Sequence, residues 1–183
     1  MADTSQPAGR EAARSHGADS NDIHPGCLVR AAGREDLDAI NRIVGAAVMS
    51  WSLPERVRRL SLPLYRYTSV DLRHLGMVVA VSGRGDVTGI AAWEPADATD
   101  TPGGRRALLL QGIHVDPCYH RQGVGRRLFH AAQQAACVGR YNGLLVKAQH
   151  EATGFFLAQG MCRLEVSDPR RQYANRLWKD LSG

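Results

Sequence analysis

The stretch HRQGVG at residues 120–125 joins the apolar run ALLLQGIHV, through DPCY, to the helical pattern RRLFHAAQQAACV. A bare turn between a strand and a helix needs one glycine, and this join has two, Gly123 and Gly125. Glycines there remove side chains from the place where the free N–H groups of a helix start lie, and those groups, with the aligned peptide dipoles, favour an anion. Arg121, Arg126 and Arg127 add cations beside them. Two readings stay open from the residues alone: a strand-to-helix turn whose glycines serve packing, or a loop that wraps a phosphate. The GxxxxGK[ST] and GxGxxG patterns are absent from this join, so it is neither a P-loop nor a dinucleotide fingerprint.

The elements around the join narrow what the chain can fold into. Residues 1–25 are rich in Ala, Ser, Gly, Asp and Pro without apolar period and read as a disordered tail, with one folded domain over 26–183. CLVRAA reads as a short strand, and REDLDAINRIVGAAV as a helix with Leu37, Ile40, Val44, Ala47 and Val48 on one face. SWSLPERVRRL carries a helix start, with Ser52 as cap, Pro54 in the first turn and Glu55 three residues after the cap. MVVAV and DVTGIAAWE flank a hairpin turn, SGRG. ALLLQGIHV is a strand, and the helix from about Gly123 to near Gly139 puts Val124, Leu128, Ala131 and Ala135 on one face. GLLVKA is a buried strand, EATGFFLAQ a short helix stopped by Gly160, and MCRLEV and RQYANRLWKDL two last strands around Asp168–Pro169. This order predicts a mixed α/β sheet with helices on both faces.

Composition removes several classes. No apolar run reaches the length of a membrane span and the first residues lack a signal peptide's apolar core, so the expectation is a cytoplasmic protein without membrane contact. Cys27, Cys118, Cys137 and Cys162 form no CxxC pair, which argues against a metal site or a disulfide framework. The formal charge of +5, from 23 basic and 18 acidic residues, suits an anionic ligand, but without a Lys/Arg run it does not suggest nucleic acid.

Two motifs together carry a family resemblance. IHVDPCYHRQGVGRRL resembles the central signature of the Gcn5-related N-acetyltransferases (GNAT), in which a strand precedes [RQ]-x-x-G-x-[GA] and a helix, and EATGFFLAQGM resembles the family's A-x-x-x-Y helix followed by glycine and an apolar residue. The resemblance extends over about residues 27–181 and implies a mostly antiparallel sheet of six to seven strands with helices on both faces. It also implies acetyl-CoA as co-substrate, an amine acceptor (a small molecule or a peptide amine) and, as is common in the family, a homodimer. Backbone groups of Ile113, His114 and Val115 would bond the pantetheine arm. Amides of Arg121, Gln122, Gly123, Val124, Gly125 and Arg126 would cradle the pyrophosphate. The strand ending at Val115 and the strand GLLVKA would splay into a V, with Gln149 and Phe156 near the co-substrate.

The chain departs from the family pattern where chemistry is usually done. His120 stands where Arg or Gln is usual, and Phe156 replaces the common tyrosine, so no phenol there can protonate a leaving thiolate. The strand before Val115 offers Leu109 and Gln111, neither a base. An amine acceptor arrives mostly as ammonium and must lose a proton, while a thiolate of pKa about 8.5 leaves tolerably without an acid. Glu94, acting directly or through water ordered by Gln111, is the candidate base, and Tyr173 a candidate hydroxyl donor. By strand alternation His114 points away from Ile113 and Val115, which makes it a poor base. Transfer without an acyl-enzyme fits the lack of an activated cysteine, and an acyl-CoA-binding protein with little catalysis is the competing class. WSLPERVRRLSLPLYRYTSVDLRHL and EPADATDTPGGRR are the expected walls of the acceptor pocket, the first as an amphipathic lid or as a helix with a solvated arginine face.

Overall fold

The computed structural model describes residues 27–182 except 167, 169 and 171. The expected tail over 1–25 and Pro169 lie outside the described residues. The chain runs β1 (Leu28–Ala31), α1 (Leu37–Met49), α2 (Glu55–Ser61), α3 (Asp71–His74), β2 (Gly76–Val81), β3 (Val87–Pro95), β4 (Ala107–Val115), α4 (Val124–Val138), β5 (Gly143–Lys147), α5 (Thr153–Ala158), β6 (Cys162–Arg163) and β7 (Arg176–Asp180). The strands form one seven-stranded sheet in the order β1-β2-β3-β4-β5-β7-β6. Every pairing is antiparallel except β4 with β5, which is parallel because α4 crosses over between them.

Helices cover both faces, as the element order predicts. On one face α4 buries Val124, Leu128, Phe129, Ala132 and Ala136 against Leu110, Leu144, Val146 and Leu177. On the other, α1 buries Ile40, Ile43, Val44 and Val48 against Val79, Ile90 and Ala92. A smaller cluster of Ala107, Leu145 and Trp178, with Ala96, Leu109 and Leu164 packed on it, fills out the sheet beyond α1. A fully buried Phe129 turns α4 slightly from its predicted face, leaving Ala131 and Ala135 half-buried at the flank.

Local starts and stops differ in two places. Pro54, not Ser52, is the residue before α2, and its carbonyl accepts from the amides of Val57 and Arg58, so backbone replaces the expected side-chain cap. The α2 arginines are not one solvated face either: Arg58 Nη1 donates to the carbonyls of Met49 and Trp51 at the end of α1, where a cation complements the helix dipole. The β2–β3 hairpin closes as expected, with the Gly85 amide donating to Ser82 O at 2.9 Å and a left-handed φ of 89° at Gly85 that suits glycine.

Candidate active site

A parallel strand pair that stops halfway makes the cleft. β4 and β5 pair from Ala107↔Gly143 only to Leu110↔Val146, after which β5 stays with β7 through Lys147↔Arg176 while β4 continues with β3. The register of β3 against β4 shifts between Ala92 and Trp93, leaving Gln111 as the extra residue of a bulge at the point of divergence. Beyond it, Asp116 N donates to Thr88 O at 2.9 Å. Antiparallel alternation then ties the backbone of His114 to Ile90 and turns the N–H and C=O groups of Ile113 and Val115 toward the space β5 has vacated. His120 Nε2 lies 3.1 Å from Val115 O, so this side chain pins the following loop to the strand end.

The loop itself is built to present amides. Asp116 accepts from Cys118 N at 3.0 Å and pairs with Arg42 at 2.9 Å, and Gln122 Nε2 donates to Cys118 O at 3.0 Å. Arg121 and Gly123 both have positive φ, 62° and 78°, which brings the chain sharply into α4. A Cβ on Gly125 would lie 3.3 Å from the Phe155 ring and 3.7 Å from Val115, so this glycine sets how closely the helix start approaches the strand. Among the described residues no hydrogen bond uses the amides of residues 121–126 as donors, the state expected of a helix start that faces a ligand. Arg121 and Arg126 are exposed beside them.

Polar groups gather where the strands part. Gln111 donates through Nε2 to Glu94 Oε1, joining the two on the α1 side of the sheet, and Glu94 is half-buried. Gln149, two residues past β5, donates to the hydroxyl of Tyr65 at 3.2 Å. Tyr65 packs edge-on against Trp51 at 5.0 Å between ring centroids. Tyr173 is close enough that Tyr65, after burial, helps raise its phenol above the ordinary value. The segment that carries Tyr65 is held by Asn41 of α1, whose amide group exchanges two 2.9 Å hydrogen bonds with the backbone of Tyr67. The phenol of Tyr67 is buried and its pKa pushed up to about 12 by that burial.

Three expectations are corrected. His114 does not present backbone groups to the cleft, because β3 uses them; its ring folds over Gly112, and burial lowers its pKa to about 4. Phe156 does not line the cleft: at 4% exposure it sits under α4 against Phe129 and Phe155, and the half-buried Phe155 is the ring against Gly125 and Val115. Tyr173 is not on the last strand, which begins at Arg176, but on the loop leading to it. The side chain of Val124 is a core residue, leaving its amide as the part that faces outward. Tyr65 lies in the segment expected to wall the acceptor pocket, and its place is set by residues distant in sequence: the Asn41 clamp on Tyr67, the Trp51 ring and Gln149. Among the described residues no group of three or more His, Cys, Asp and Glu could hold a metal ion, and no helix is long and apolar enough to cross a membrane.

Residues 73–160 match the family model of the GNAT acetyltransferase domain. No curated protein matches the chain in sequence. Among solved structures it is similar to a GCN5-related N-acetyltransferase from Rhodopseudomonas palustris, at 20% identity over 84% of this chain and 95% of that one, with a TM-score of 0.64. It is similar also to the PaiA N-acetyltransferase from Thermoplasma acidophilum in complex with coenzyme A, at 11% identity over 84% and 98% of the two chains, with a TM-score of 0.67. A GNAT family acetyltransferase from Brucella melitensis in complex with acetyl-CoA gives 15% identity over 86% and 89%, with a TM-score of 0.58. The matched region, residues 73–160, and the forked sheet agree: this stretch of the chain matches the GNAT acetyltransferase domain, and the chain has the fold of these structures.

Proposed function

We propose that the domain over residues 26–183 is an acetyl-CoA-dependent N-acetyltransferase that passes the acetyl group directly to an amine. The observation that carries this reading is the open edge of β4: the backbone groups of Ile113 and the amide of Val115 are directed into the fork, while His120 meets the Val115 carbonyl, and the amides of residues 121–126 have no hydrogen-bond acceptor among the described residues. A pyrophosphate at those amides and an extended pantetheine along the strand fit this edge. The four-residue step from Val115 back to Gln111 spans about 13 Å, which ends at the bulge. Two of the solved structures of this fold hold coenzyme A or acetyl-CoA, which supports the same ligand here.

The thioester supplies an activated acyl group, and this chain's residues supply position and proton handling. Glu94, steadied by Gln111 and half-buried beside the fork, takes the proton that an ammonium acceptor must lose, directly or through water. Phe156 leaves no hydroxyl in the family's usual place; Tyr65, bonded to Gln149, and Tyr173, near enough to Tyr65 to feel its charge, are phenols from two other segments. No cysteine has a histidine bonded to it among the described residues, which favours direct transfer, and a stable acetyl adduct on exposed Cys118 in intact-mass spectra contradicts it.

Calorimetric titration of acetyl-CoA into the protein and into Gly123→Asp tests the reading. Binding by the parent and at least about tenfold weaker binding by the variant are expected, because the carboxylate repels the pyrophosphate and glycine's left-handed φ is lost. No binding by the parent at millimolar acetyl-CoA refutes it. Acetyl-CoA binding with no CoA release above background for any amine supports the competing class, an acyl-CoA-binding module.

A further inference from the structure

Resting on that reading, we propose that the acceptor amine carries a carboxylate, and that Arg176 is the residue that holds it. Arg176 opens β7, paired across to Lys147, the residue just past the last β4–β5 pair, so it stands one strand from the fork where the acyl group would arrive. Its residue is 5% exposed. Nη1 donates to Asp100 O at 3.3 Å and Nη2 to Glu165 O at 3.0 Å, while Nε has no partner and no carboxylate pairs with the guanidinium among the described residues. A permanently charged group removed from water without a counter-ion is costly, and an Arg fork is shaped for a planar oxyanion.

The space beside it suits that role. Arg176 lines a cavity of about 240 Å³ with Thr99, Thr101, Leu164 and Gln172, and Glu165 lies at its wall with an exposed side chain. The nearby cation Lys147 is already neutralised by Asp100 at 2.7 Å. One unneutralised guanidinium, with the Glu165 carboxylate in the same wall, matches a single negative charge and disfavours a dianion such as a phosphate monoester. The walls come from the β3–β4 loop and from the segments flanking β6 and β7, and Tyr173 lies three positions before Arg176. By strand alternation Arg176 and the Glu94–Gln111 pair lie on the same face of the sheet, so an amino acid seated with its carboxylate on Arg176 would keep its amine on their side.

The test follows CoA release from acetyl-CoA with the full chain and three sets of acceptors: α-amino acids, their carboxamides, and phosphoethanolamine. Charge-assisted bonds to Arg predict a kcat/KM about 10- to 100-fold higher for acids than for matched amides, carried by KM rather than kcat. Arg176→Gln is expected to bring the acids to the level of the amides without weakening acetyl-CoA binding, and Arg176→Lys to restore part of the difference. If Arg176→Gln does not fold, Leu164→Glu, which gives the guanidinium an internal carboxylate, is expected to remove the same preference. Equal use of acids and amides by the parent, a preference that survives in the variants, or a preference for phosphoethanolamine overturns the proposal. If the parent binds no acetyl-CoA, the enzymatic reading fails on its own; a rise in thermal midpoint with the acids and not the amides, lost in Arg176→Gln, then still supports the pocket, and no rise overturns it.

Discussion

Lowering the pH separates a buried structural imidazole from a site group at His114. The ring is inside the sheet over Gly112, and desolvation brings its pKa from 6.5 in the unfolded chain to about 4 in the folded one. A histidine held neutral is protonated first in the unfolded state, so its contribution is fully present above pH 6.5 and is lost as pH falls toward 4. With those two values the loss is about 2 kcal/mol between pH 7 and pH 5, and about 3 kcal/mol by pH 4. For a domain of this size that corresponds to a fall in Tm of roughly 4–8 °C at pH 5. Asp36 and Asp116 have carboxyls held below the ordinary value, the first chiefly by Arg30 and the second chiefly by the Cys118 amide. Their contributions are present above the ordinary carboxylate range and fade only below about pH 4, which keeps the pH 7–5 window clear of them. Urea unfolding at pH 7 and pH 5, on the parent and on His114→Gln, makes the measurement. The variant is expected to lose less than about 1 kcal/mol over the same interval. An equal loss in parent and variant refutes the assignment of His114 as a neutral buried group.

Four further outcomes follow from the same geometry. Glu94→Gln is expected to lower kcat by about 100-fold with acetyl-CoA affinity unchanged, read by steady-state kinetics and calorimetry. Phe156→Tyr restores the family's usual residue yet places a hydroxyl in an apolar core, so it is expected to cost about 1–3 kcal/mol in urea unfolding without raising kcat. Phe129→Ala empties the centre of the α4 core and is expected to cost about 3–5 kcal/mol in the same assay. Asn41→Ala frees the backbone at Tyr67 and with it Tyr65; a rise in acceptor KM with little change in acetyl-CoA affinity is the expected signature.

Much of this molecule is visible along the chain because it depends on neighbours in sequence. The order of strands and helices follows from apolar periods of two and of 3.6, and the join at residues 120–125 is readable because a glycine in a left-handed turn and a helix start are local events. The Glu94–Gln111 contact was legible only as two separate residues, which meet because β3 and β4 pair antiparallel with a bulge between them. His114 and Phe156 show the limit from the other side. Alternation correctly turns His114 away from Ile113, but which of its backbone groups β3 uses depends on register, and motif position cannot tell that the Phe156 ring is drawn into the space under Phe129.

Residue type and spacing over a few positions are enough for the mixed α/β order of elements and the amide-rich loop, while the splay of the strands and the phenol missing at Phe156 are visible only through the resemblance to the family's motifs. Which groups stand around the fork follows from long-range packing. Tyr65, Gln149 and Tyr173 come from three distant segments, and among the described residues Arg176 has no counter-ion because Asp100 turns its carboxylate to Lys147 and only its carbonyl to the guanidinium. Such placements depend on how the sheet diverges and which loops close over it, and no local pattern carries that information.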